Sequence, residues 1–368
     1  MLKYFSVVIS FCLLSSCASH AEINSNYEQV LTKNFSKTGA GVVAAVYKNG
    51  QPVFKQAYGM ANVDKQIQMN TDAQFRIGSL TKQFTAAAIM LLQEQGKLSV
   101  KDPINQHLGK YQNPLWQDVS IEHLLTHSSG IAEILRLVHS SQWNNENTSL
   151  DDLIGYFSQE PLQFEPGGQT SYSNSGFILL GAIIEQVSNT SYANFMQQHI
   201  FQPLEMKHSF ICQCTDNSLG DVFGTKGSIG SPANLNGAVA FSAGAMVSTV
   251  EDLAKWAQAI NTNKLLSNHS WKVIFRRYKL TNKSESEFGY GWVIDSNPTP
   301  PSYWHNGALP GFSSDILIKP NENITIITLT NQYDMGLWAQ LKMYLGGDHP
   351  TAKADTVRQQ LLAIALAN

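Results

Sequence analysis

Residues 41–47 (Gly-Val-Val-Ala-Ala-Val-Tyr) and 52–58 (Pro-Val-Phe-Lys-Gln-Ala-Tyr) are short apolar-rich runs on either side of Asn49-Gly50. Asn-Gly between two such runs is the strongest short hairpin signal, because both residues accept the positive φ of a type I′ turn. A second hairpin is predicted near the C-terminus, where 313–319 and 323–330 flank Pro320-Asn321-Glu322. Between these strand-rich ends the pattern is mostly helical. The run 79–95 is apolar on nearly every face, which predicts a buried helix, and Gly96 stands where a C′ glycine would end it. Helices are also predicted over 122–127 and 176–187. Ser248-Thr249-Val250-Glu251 has the capping-box pattern and would open a helix over 252–260, and 356–366 reads as a closing amphipathic helix.

Strands at both ends and helices between them predict one antiparallel sheet assembled from the two termini, with a helical domain inserted. The expected class is α/β plus all-α. The sheet domain would take 25–75 and 285–368, and the mainly helical domain 76–284. Such an arrangement leaves a cleft between the two parts, a preferred place for a ligand. The polar stretch 140–149 and the Gly/Ser-rich stretch 220–237 are expected to be loops bordering it.

Composition narrows the function. With 43% apolar residues among 368 the chain can bury a sizeable core, and a net charge of −3 without a Lys/Arg cluster argues against a nucleic-acid partner. The N-terminus reads as a targeting segment over 1–21. Lys3 supplies its positive charge, and the uncharged run 4–14 is too short to span a bilayer. Ser19-His20-Ala21 suits ordinary signal peptidase, whereas Leu14-Ser15-Ser16-Cys17 resembles a bacterial lipobox that would make Cys17 a lipidated first residue. The lipobox is favoured because the apolar run ends at it. The expectation is an exported, periplasmic monomer, touching the membrane only through that anchor. Cys212 and Cys214 would remain as two thiols or a local disulfide without a catalytic role.

The candidate chemistry starts at Ser79-Leu80-Thr81-Lys82. Residues three apart on a helix face the same way, so Ser79 and Lys82 are neighbours. Ser79 falls at the helix N-terminus, where free N–H groups favour negative charge, and burial would lower the Lys82 pKa until the amine can take the serine proton. A lone S-x-x-K is more often a capping serine followed by an ordinary lysine, so the rest of the chain must decide. In 166–176, turn-forming residues deliver Tyr172 and Asn174 just before an apolar helix. A phenol near an ammonium can lose its proton and serve as base or acid, and an amide carries the donor and acceptor needed to grip a substrate amide. In Trp304-His305-Asn306-Gly307-Ala308, glycine at 307 would let a substrate backbone approach, and the next N–H could complete an oxyanion hole with that of Ser79. His123 and His127 lie four apart, but without a Glu at metalloprotease spacing or a third ligand a metal is not expected. No cofactor is expected either. A G-x-S-x-G elbow is absent from the sequence, which disfavours an α/β-hydrolase.

Taken in order, Ser79-Leu80-Thr81-Lys82, Tyr172-Ser173-Asn174 and His305-Asn306-Gly307 resemble the S-x-x-K, Y-x-N and H-x-G elements of the serine beta-lactamases and penicillin-binding proteins, in the class C and D-Ala-D-Ala carboxypeptidase group. Thr126-His127-Ser128-Ser129-Gly130-Ile131, Phe164-Glu165-Pro166-Gly167 and Phe288-Gly289-Tyr290-Gly291-Trp292 resemble further landmarks of that family. The resemblance implies a beta-lactamase/transpeptidase-like fold with the site between its two parts. It also implies that Ser79 forms an acyl-enzyme, that Lys82 and Tyr172 share the acid–base work, and that Asn174 holds the substrate amide. His305 would line the opposite wall, with Gly307 beside it, and the N–H groups of Ser79 and Ala308 would stabilise the oxyanion. His305 stands where beta-lactamases usually carry a lysine that reads the substrate carboxylate. The expected activity is therefore a carboxypeptidase, D-amino-acid peptidase or esterase acting on small peptides or esters. A true class C-like beta-lactamase is the alternative, and a non-catalytic penicillin- or peptide-binding sensor the second.

Overall fold

Six strands from the two ends of the chain pair into one antiparallel sheet. They are β1 (Val42–Lys48), β2 (Gln51–Tyr58), β3 (Val293–Asp295), β4 (Ser302–Leu309), β5 (Phe312–Lys319) and β6 (Ile324–Thr330), in the spatial order β3-β4-β5-β6-β1-β2. The computed structural model describes residues 22–137, 148–212, 218–225, 237–295, 301–333 and 353–367. The expected targeting segment 1–21 with Cys17, the cysteine at 214, most of 140–149 and much of 220–237 lie outside the described residues. Cys212 is buried and disulfide-bonded.

The first hairpin turns at Asn49 (φ 53°) and Gly50 (φ 73°), the left-handed pair that its sequence demands. β6 closes onto β1 in unbroken register from Val42↔Thr330 to Lys48↔Ile324. Side chains alternate between the faces of a strand, and both faces of β1 are covered. Val42, Ala44 and Val46 pack with Tyr27 and Leu31 of helix α1 (22–34) and with Val357 and Leu361 of the C-terminal helix. Val43 and Ala45 face the larger core that the remaining helices share.

That larger core is organised around α2 (Thr81–Glu94), which is buried along nearly its whole length and ends at Gly96 (φ 68°). α3 (Ile121–Leu125) and α4 (Ile134–Leu137) pack on α5 (Asn174–Ser188), which in turn packs on α2. α6 (Val250–Thr262) reaches α2 through Trp256 stacked on Phe84, and α7 (Lys353–Ala367) closes the far face of the sheet. Capping chemistry moves several predicted boundaries. α3 starts one residue earlier because Ser120 caps it, and stops short because His127 takes φ 57°. α5 starts at Asn174, where the Ser173 hydroxyl accepts from Gly176 N at 3.0 Å. α6 starts at Val250 with Thr249 as its cap, because the Ser248 hydroxyl is engaged with that of Ser209 at 2.9 Å.

Candidate active site

The chain enters the site on a short strand, Phe75–Arg76, paired with Met246–Ser248. It then turns at Gly78 (φ 52°) into a single 3₁₀ turn, Gly78–Leu80, that runs straight into α2. Thr81 fastens the turn: its hydroxyl donates to Gly78 O at 2.7 Å and accepts from Met246 N at 3.1 Å. Ser79 is the half-exposed residue between buried Gly78 and Leu80. No side chain caps this turn or α2, so the Ser79 hydroxyl is not spent on a helix end. Instead it lies 3.2 Å from Lys82 Nζ, accepting from the ammonium form, and is hydrogen-bonded to the Tyr172 phenol.

Lys82 is fully buried. Its Nζ also donates to Asn174 Oδ1 at 2.8 Å and to Ala243 O at 2.7 Å. Burial drives its pKa down to about 7, against the opposing pull of the Glu133 carboxylate. A neutral amine has two N–H groups and one lone pair. The two shortest contacts are to carbonyl oxygens, which can only accept, so the lone pair is left for the Ser79 O–H.

Tyr172 departs from its expected chemistry. Burial pushes its pKa well above the usual phenol range, and Glu133 adds to the rise, so it keeps its proton at neutral pH. The expectation that a nearby ammonium would ease its ionisation is corrected here: Lys82 Nζ lies over the ring face, 4.9 Å from its centroid, and desolvation dominates. Beneath Tyr172 lies His127, with ring centroids 4.6 Å apart and stacked. His127 Nδ1 accepts from Ser173 N at 3.1 Å, which puts the ring proton on Nε2, and burial holds the imidazole neutral. His123 is engaged elsewhere, its Nδ1 accepting from Ser120 N at the start of α3.

Asn174 also does more than the sequence suggests. Its Oδ1 accepts from Lys82, and its Nδ2 donates to Glu133 Oε1 at 2.8 Å. Only one side-chain N–H and one lone pair therefore remain for a substrate amide.

β4 supplies the opposite wall. His305 is buried with its ring 6.1 Å from that of Tyr172. Asn306 points to the other side of the sheet, donating to Asp355 Oδ2 of α7 at 3.1 Å. Gly307 is there for a different reason from the one expected. A Cβ at this position would fall 2.0 Å from Ile77 O and 2.4 Å from Ser314 Oγ, so its missing side chain admits the Ser79 turn and not a substrate. A Cβ on Gly78 would likewise lie 2.9 Å from Ala308 N. The two glycines bring the backbones of Ser79 and Ala308, the expected oxyanion donors, side by side.

The site thus gathers Ser79, Lys82, Tyr172, Asn174, His305, Gly307 and Ala308. Sequence reasoning missed Glu133, the Ala243 carbonyl and the stacking role of His127.

The beta-lactamase family model matches residues 31–342 of this chain. The chain is 30% identical over 302 residues to Protein flp of Staphylococcus aureus (strain MW2), across 79% of its own length and 59% of that protein. It therefore spans about three fifths of that relative. It is 28% identical over 348 residues to Penicillin-binding protein 4* of Bacillus subtilis (strain 168), across 87% and 76% of the two chains. Among solved structures, the D-amino acid amidase from Ochrobactrum anthropi SV3 complexed with L-phenylalanine shares the fold, with a TM-score of 0.78 at 21% identity over 94% of this chain and 99% of that one.

Proposed function

The chain belongs to the beta-lactamase family, and on that premise we propose an exported serine hydrolase that forms an acyl-enzyme on Ser79 and cleaves amide or ester bonds of small peptides or esters in preference to penicillins. The observation that carries this reading is the Lys82 amine, buried, poised near neutrality and 3.2 Å from Ser79 Oγ. Lys82 takes the Oγ proton as Oγ bonds to the substrate carbonyl carbon. The N–H groups of Ser79 and Ala308 receive the developing oxyanion. The proton passes from Lys82 through the Tyr172 phenol to the leaving nitrogen or oxygen as the scissile bond breaks. Water then attacks the ester, giving its proton back along the same path, and Ser79 is restored.

The preference against penicillins rests on β4. His305 is buried and Asn306 is held by Asp355 on the far face, so the third element presents no lysine to a substrate carboxylate. The D-amino acid amidase supports amide hydrolysis only as a chemistry compatible with this scaffold. Turnover of p-nitrophenyl acetate, a D-amino acid amide, a peptide ending in D-Ala-D-Ala and benzylpenicillin tests the proposal. The ester or the amide should be turned over fastest, with little gain from a carboxylate. Penicillin hydrolysis at least as fast as the best ester, or a strong carboxylate preference surviving His305→Ala, would contradict it.

A further inference from the structure

Glu133 is a buried acid immediately before α4, in the apolar run Ile131-Ala132-Glu133-Ile134-Leu135. A carboxylate there needs partners, since an unpaired buried charge is expensive. It has three N–H donors. Oε2 accepts from Asn174 N at 2.6 Å, and Oε1 accepts from Asn174 Nδ2 at 2.8 Å and from Leu135 N at 3.3 Å. Two of these donors are backbone N–H groups in the first turns of α5 and α4, where negative charge is favoured. The segment is held against α5 by Ser175, whose hydroxyl accepts from Ile134 N at 2.8 Å and donates to Ala132 O at 2.7 Å.

The polarity of this chain of bonds leaves one arrangement. Burial raises the Glu133 pKa, against the pull of these N–H donors and of Lys82. With both its oxygens accepting from N–H groups and the Lys82 amine donating, Asn174 turns Nδ2 to Glu133 and Oδ1 to Lys82. We infer that Glu133 is a positioning residue that clamps the Asn174 side chain through both oxygens, so that Asn174 Oδ1 fixes the Lys82 amine in line with Ser79. This inference rests on the acyl-enzyme reading of Ser79 and Lys82. Glutamine cannot replace the acid, because its NH₂ would meet one of the Asn174 N–H groups donor to donor. Aspartate keeps the charge but is one methylene too short to span both.

The charge of Glu133 also favours the ammonium form of Lys82, so removing it should move the acid limb of acylation to lower pH. Among the described residues, the other titratable groups at this site are Tyr172, held protonated, and His127, held neutral, together with His305 on β4. The test is the rate at which a fluorophosphonate labels Ser79, read by intact mass spectrometry across pH, in the wild type, Glu133→Gln and Glu133→Asp. Circular dichroism checks folding, and the same Glu133→Gln comparison in a His305→Gln background separates the limb of Lys82 from that of His305. Glu133→Gln should label up to about 100-fold more slowly, the scale of a misplaced catalytic group, with its acid limb at lower pH. Glu133→Asp should lose rate while its limb stays nearer the wild-type position. A merely structural glutamate would leave the limb where it is. Folded Glu133→Gln with wild-type rate and limb would overturn the inference. Should that variant not fold, an unchanged rate in folded Glu133→Asp would overturn it equally. Absence of wild-type labelling at Ser79 would remove the acyl-enzyme reading itself, which distinguishes the two failures.

Discussion

Lys82 is fully buried and Tyr172 partly so, and desolvation assigns the two groups opposite duties. Desolvation disfavours whichever form is charged, so it deprotonates the amine and keeps the phenol protonated. In the proposed mechanism this makes Lys82 the base that opens the reaction and Tyr172 the group that relays the proton to the leaving atom. Tyr172→Phe keeps the ring that stacks on His127 and removes only the hydroxyl. It should lower kcat/KM by about 10²–10⁴-fold while leaving the acid limb of the pH profile in place. Loss of that limb in Tyr172→Phe would instead make the tyrosine the titrating base. The four side chains Ser79, Lys82, Tyr172 and Asn174 were legible because three motifs in order resemble those of a known family, each being ambiguous alone. Glu133 was not. It lies 41 residues from Asn174 and belongs to no motif, and its only signal is an acid set in an apolar run.

The site depends on how closely two elements approach. The Ser79 turn and β4 meet at Gly78 and Gly307, and the Ser314 hydroxyl bonds Ile77 O at 2.7 Å across the same contact. Gly307→Ala would force a methyl group into the Ile77 carbonyl and push β4 away from the turn. Overpacking of this kind costs about 1–3 kcal/mol, and displacement of the oxyanion donors should lower ester turnover by about 100-fold. Urea unfolding and ester turnover measured on the same variant check both parts. Wild-type activity in Gly307→Ala would show that the contact does not set the oxyanion geometry. The sequence marked Gly307 as special but not why, because the reason lies in the Ile77 carbonyl, 230 residues earlier in the chain and outside any local pattern. Helix starts shifted by one or two residues, since the caps are Ser120, Ser173 and Thr249.

Across the whole molecule, a sheet closed by β1 and β6 carries β4 to the place where the first turns of α2 and α5 converge. That plan was legible because the hairpins at the two ends and the helices between them differ in hydrophobic period. What stayed hidden was the opposite orientation of neighbouring residues in the third element. His305 faces Tyr172, while Asn306 joins the buried cluster of Asp355, Asp315 and Arg358 under α7, with Arg358 Nε 2.7 Å from Asp315 Oδ1. The central claim is that a neutral Lys82 activates Ser79, and the pH dependence of fluorophosphonate labelling followed by intact mass spectrometry tests it most directly. Lys82 is an ammonium below its pKa and a base above it. Labelling should therefore map to Ser79, vanish in Ser79→Ala, and speed up as pH rises through about 7 before levelling off. An adduct on another residue, or a Ser79 labelling rate indifferent to pH across that range, would contradict the account.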